Sequence, residues 1–129
     1  TSGTTTYKEY VPITSAVAKL DSEVTAAEKA KSLVLVGGPC ANTLVADLAA
    51  AGKFPYTCAT WPGKNIGMIR AVDDAFTTGK VALVVAGTRA EDTRLASSVL
   101  QNYATRLSTI TGGAVEITGT VASPVVTAA

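Results

Sequence analysis

At 129 residues the chain fits one domain with one sizeable core, and its 47% hydrophobic and 16% charged residues exclude a disordered polymer. Eleven Lys and Arg against ten Asp and Glu leave a net charge of +1, which supplies no field for nucleic acid or an anionic membrane. There is no histidine, which removes the commonest general base and most zinc sites, and no apolar run approaches the ~20 residues of a membrane span.

The stretch Thr4–Ile13 mixes Thr, Tyr and Val and reads as an extended strand, with Pro12 marking its end or a sheet edge. Because the chain begins Thr-Ser-Gly-Thr-Thr-Thr, it reads as a mature, processed N-terminus or a trimmed one. Ala16–Leu20 is a second short strand candidate. Thr25-Ala-Ala-Glu28 has capping-box spacing, so Thr25 should open a short helix through Lys31. Leu33-Val-Leu-Val36 is a continuous aliphatic run, the pattern of a strand buried on both faces. Gly37-Gly38-Pro39 breaks it, and a helix is expected from Cys40 to Ala51 with Leu44, Val45 and Leu48 on one face and Gly52 as the stop.

Lys53–Gly67 is an irregular loop holding Pro55, Pro62, Gly63 and the single tryptophan, Trp61. Gly67–Phe76 fits either helical or strand spacing and is read as strand, turning at Thr77-Thr78-Gly79. Val81–Val85 is a second apolar strand ended by Gly87. Thr88-Arg-Ala-Glu91 is a second capping box, opening a helix to Leu107 that should bury Leu95, Ala96, Val99, Leu100, Tyr103 and Leu107. Ala114–Val121 alternates as a half-exposed strand, with Val115, Ile117 and Val121 on one face, and Pro124 precedes a last extended Val125–Thr127. Together these elements predict an α/β domain over 1–129: a mixed sheet with parallel central strands flanked by helices, and additional strands from both termini.

Cys40 and Cys58 are the only cysteines. Two thiols without histidine or CxxC spacing make a metal site improbable, which leaves a disulfide or two buried free thiols. A disulfide would contribute about 3 kcal/mol by loop-closure entropy and would place the chain outside the cytoplasm, a hyperthermophilic source excepted.

Two β-Gly-α units put Gly37, Gly38, Asn42, Gly87, Thr88 and Arg89 at the rim where open α/β sheets bind ligands, next to two helix N-termini. Yet Val-Gly-Gly-Pro-Cys-Ala-Asn lacks GxGxxG spacing and the Lys-Ser/Thr pair of a phosphate loop, and the glycines are needed to turn a strand into a helix. Arg89, Glu91, Asp92 and Arg94 read as first-turn surface pairs, and the adjacent Asp73 and Asp74 as solvent-facing residues. These residues indicate no cofactor, no metal and no catalytic group. There is no Asn-x-Ser/Thr sequon, so N-glycosylation is not expected.

The segments Leu-Val-Leu-Val-Gly-Gly-Pro-Cys-Ala-Asn (33–42), Lys-Val-Ala-Leu-Val-Val-Ala-Gly (80–87) and Ala-Glu-Asp-Thr-Arg-Leu-Ala (90–96) resemble, in order and spacing, the archaeal S-layer proteins. Residues 16–24 fit that family's lead-in strand, and the likeness covers roughly 16–121. It implies an extracellular, cell-surface structural subunit without catalytic residues, whose partners are copies of itself, with cell-envelope or glycan contacts also open to it. A cysteine after Gly-Gly-Pro with a second downstream recurs in the family, which favours a Cys40–Cys58 bridge. Since the module fills nearly the whole chain, a filament or sheath of repeating copies is expected over a flat lattice. One terminus, Thr4–Ile13 or Val115–Thr127, would extend to pair with a neighbour's sheet edge. The competing reading is an extracellular ligand-binding module at the glycine rim.

Overall fold

The computed structural model of the chain describes residues 17–129. The expected strand at Thr4–Ile13 lies outside them. Helix α1 (Ala26–Lys29) leads into strand β1 (Leu33–Val36) and helix α2 (Thr43–Ala50). Strands β2 (Gly67–Val72) and β3 (Ala82–Gly87) are followed by helices α3 (Ala90–Gln101) and α4 (Tyr103–Arg106). A hairpin of β4 (Ala114–Gly119) and β5 (Pro124–Ala128) ends the chain.

The five strands form one mixed sheet in the order β1-β3-β2-β4-β5. Only β1 and β3 run parallel, in the register Leu35↔Val84, and the other three pairings are antiparallel. An α/β fold with a mixed sheet is therefore present. Its parallel pair, however, sits at one side with β1 at the edge.

Alternation along the strands sends side chains to two faces, and each face has its own core. On one face Leu35, Met68, Val72, Val84 and Ala86 pack with Leu44, Val45 and Leu48 of α2 and with Phe54 and Ile66 of the loop. On the other, Ile69, Val85, Val115 and Ile117 pack with Leu95, Ala96 and Val99 of α3. The result is three layers, helix–sheet–helix, with a helix following each strand of the parallel pair.

Several expectations are corrected. Residues 17–20 form no strand, and a 3-10 turn follows at Asp21–Glu23. The Leu33–Val36 run is not buried on both faces: Val34 and Val36 are 59% and 56% exposed, because α3 covers β3, β2 and β4 but stops short of the edge strand. Helix α2 begins at Thr43 rather than Cys40, since Asn42 is its N-cap. The second capping box lies one residue later than read: Arg89 is the N-cap, and the Asp92 carboxylate accepts from the Arg89 N–H at 3.0 Å. The long helix breaks at Asn102, whose side-chain amide donates to the Ser98 carbonyl at 2.8 Å, and the break leaves Tyr103 65% exposed. Val121 is exposed because Gly119 (φ +89°) turns the chain before it, and Thr120–Ser123 closes a hairpin. The Val115–Thr127 segment does not extend from the body. It folds back on its own domain, β4 on β2 and β5 on β4.

Candidate functional site

The rim forms where β1 and β3 end and α2 and α3 begin. Gly37 takes φ +105°, a conformation open to glycine, and its N–H donates to the Val85 carbonyl. Asn42 then fastens the turn from both sides. Its amide donates to the Val36 carbonyl at 3.1 Å, and its carbonyl oxygen accepts from the Leu44 N–H at 2.9 Å.

The turn is held to the following loop by a disulfide between Cys40 and Cys58, 18 residues apart. That loop carries an aromatic cluster in which Trp61 stacks on Phe54, with ring centroids 6.4 Å apart, and meets Tyr56 edge-on at 5.7 Å. The Trp61 ring also lies in van der Waals reach of Gly38, and its indole N–H donates to the Thr88 hydroxyl at 3.0 Å. Thr88 in turn donates to the Lys64 carbonyl at 2.6 Å and accepts from the Ile66 N–H at 3.2 Å. Thr88 thus joins the loop to the end of β3, a role different from the helix cap its sequence suggested.

Gly87 does something different from Gly37. A Cβ at Gly87 would fall 2.3 Å from the Thr93 N, and one at its cross-strand partner Gly67 would fall 2.7 Å from the Asp92 O. Both glycines let the first turn of α3 lie directly on the sheet. Gly67 was not singled out from sequence, although a glycine inside a strand pattern is the available signal for such close approach.

Of the predicted rim residues, Gly37, Gly38, Gly87, Thr88 and Arg89 line one groove of about 490 Å³, together with the disulfide and Trp61. Asn42 is drawn into the turn instead. Neither helix start is vacant. The Asp21 carboxylate accepts from the Thr43 N–H at 2.7 Å and from its hydroxyl at 2.8 Å. At α3, Asp92 accepts from the Arg89 side chain at 2.9 and 3.1 Å and from its N–H. The Thr43 hydrogen bonds hold the Asp21 carboxyl below its ordinary range, and the Arg89 side chain does the same for Asp92. At α2 a carboxylate of the protein itself stands where an external anion would bind, and at α3 Asp92 is paired with Arg89. Asp21, 22 residues before Thr43, gave no local signal of this role.

Among the described residues no group of three or more His, Cys, Asp or Glu could hold a metal ion, and no helix is long and apolar enough to cross a membrane. The rim holds a glycine turn, an asparagine strap, a disulfide and a tryptophan–threonine bridge beside the starts of α2 and α3. These ties describe a structural module.

The chain belongs to the S-layer like family, whose outer-domain model matches residues 2–104. It is 40% identical to an S-layer protein of Methanocaldococcus jannaschii over 69% of this chain, and 40% identical to an S-layer protein of Methanothermococcus thermolithotrophicus over 72%. An S-layer protein of Methanococcus voltae is 34% identical over 66% of the chain. The matched region spans only 15%, 16% and 14% of those relatives. No solved structure matches. S-layer proteins are extracellular, structural components of the cell surface, and the archaeal S-layer resemblance read from the motifs is the family found.

Proposed function

We propose that this chain is a non-catalytic structural subunit of an extracellular archaeal assembly that associates with copies of itself by strand pairing between subunits. Membership of the S-layer like family carries this reading. The ends of the sheet support it: among the described residues β1 and β5 are both edge strands, and each offers a row of backbone groups to a further strand. The near-neutral balance of charge opposes such contacts little.

The ligand-binding alternative has less support. Of the two helix N-termini it would use, that of α2 already carries the Asp21 carboxylate on its Thr43 N–H. An enzymatic role has no histidine to draw on, and Glu91 and Asp92 are both paired with Arg89.

Negative-stain microscopy of native material tests the proposal. Filaments, sheaths or sheets are expected. Uniform isolated particles at high protein concentration would contradict it. A thermal shift with nucleotides, sugar phosphates or sulfate that disappears on Arg89→Ala would favour the ligand-binding reading.

A further inference from the structure

Among the described residues the two edges of the sheet are not equivalent. Strand β5 begins at Pro124, which has no N–H to offer, and carries Thr127 among its valines. Strand β1 is Leu-Val-Leu-Val, without a charge, a proline or a bulge to discourage pairing. Its register with β3 fixes which groups point where. Leu35 shares the α2 face with Val84 and is buried, whereas Val34 and Val36 share the opposite face with Leu83 and Val85. On that face α3 lies over β3, β2 and β4, so Val34 and Val36 stand uncovered. Residue Val24 of the incoming chain packs against the α2-side core, away from these valines. Among the described residues, no hydrogen bond reaches the outward backbone groups of Val34, and Val36 has only the Asn42 amide on its carbonyl.

We infer that β1 is an interface to a second copy of this chain, pairing antiparallel with the second copy's β1 about a two-fold axis through Leu35. This rests on the self-association proposed above and names the surface that carries it. The strand is self-complementary for such a pairing. Placing Leu35 opposite its symmetry mate sets Val34 opposite Val36 of the second copy, and the outward N–H and C=O groups of those residues face one another as hydrogen-bonded pairs, the Val36 carbonyl using the lone pair that Asn42 leaves free. On the α3 face the four exposed valines then form one apolar cluster, each covering another, as the cross-strand pairs of a single sheet do. No like charges meet across the axis, because residues 33–36 carry none. The two five-stranded sheets become one continuous sheet of about ten strands, within the range of open sheets. Four residues from each copy bury far less than a self-sufficient dimer requires, so β1 acts as one contact among several in an assembly.

Cysteine cross-linking in full-length protein tests the geometry. Opposed residues of a hydrogen-bonded antiparallel pair have Cα atoms about 5.5 Å apart, within disulfide range. Two copies of residue 34 would be roughly 8 Å or more apart, which is too far. Val34→Cys and Val36→Cys are therefore made separately, circular dichroism confirms the fold, and peptide mapping confirms that Cys40–Cys58 is intact. On mild oxidation, an equal mixture is expected to give at least tenfold more covalent dimer than either variant alone, linked 34 to 36. Val34→Lys should also weaken assembly at least tenfold, while Val34→Thr retains it. Equal cross-linking in the separate variants, or undiminished assembly of Val34→Lys, would overturn the β1 interface while leaving self-association standing. A wild-type chain that never assembles would overturn both.

Discussion

The two strand–turn–helix units of this domain begin from nearly the same sequence pattern and end in different structural roles. Leu33–Gly37 and Ala82–Gly87 are both aliphatic runs stopped by glycine before a helix. Strand β3 lies inside the sheet, between β1 and β2, with Val84, Val85 and Ala86 fully buried. Strand β1 lies at the edge, with every second side chain exposed. The glycines differ as well. Gly37 is required by its positive φ and has ordinary space around it, whereas the site of Gly87 leaves no room for a side chain beneath α3. The helix starts differ in the source of their caps. Asp92 caps α3 from within its own first turn, while α2 relies on Asn42 beside it and on Asp21 from a distant segment. A turn motif thus indicates that a strand becomes a helix without indicating what the turn is for.

Substitutions at matched positions break this comparison apart. The largest effect is expected from Gly87→Val, because the clash is with the α3 backbone and cannot be relieved by a rotamer change. Destabilisation should exceed the ~1–3 kcal/mol of ordinary overpacking, measured by denaturant unfolding. Cys40→Ser with Cys58→Ser should cost about 3 kcal/mol, and the Trp61 fluorescence should change as the loop loosens over Gly38. Gly37→Ala should cost only about 1–2 kcal/mol, since its penalty is conformational. If Gly37→Ala proved as damaging as Gly87→Val, the distinction between the two turns would be wrong. Asn42→Ala should lose about 1 kcal/mol for a cap, slightly more if the tie to Val36 matters.

The smallest effect is expected from Asp21→Asn, and its pH dependence is diagnostic. Because the folded state lowers the Asp21 pKa below its ordinary value of 3.8, its contribution is present above that value. It is lost as the pH falls through the folded pKa. The stability gap between wild type and Asp21→Asn should be open at neutral pH and close below pH 3.8. Glu28 behaves alike at lower pH. The Lys19 ammonium and the Thr25 N–H bring its pKa down to about 2.

The elements of the domain were legible in the sequence wherever periodicity and apolar content coincided. The buried stripe Leu44, Val45, Leu48 and the stripe Leu95, Ala96, Val99 were both evident, as were the alternation of β4 and the cysteine pair. Part of what was hidden depended on neighbours distant in the chain. An aliphatic run of four has the same composition in the centre of a sheet and at its edge, so the exposure of Val34 and Val36 could not be read locally. Tyr103 fitted the spacing of α3, but the helix breaks at Asn102 before that spacing applies. At the rim the residue list was largely recoverable. Its meaning was not, because the caps that fill it come from Asp21 and from an Asp92 one position off the expected box.

The central proposal is that this module associates with copies of itself. Sedimentation velocity across a hundredfold range of protein concentration, with the disulfide intact, tests it most directly. The account predicts a sedimentation coefficient that rises with concentration as larger species populate, and a rise displaced to at least tenfold higher concentration in Val34→Lys. A single monomeric boundary at every concentration, identical in both proteins, would contradict it.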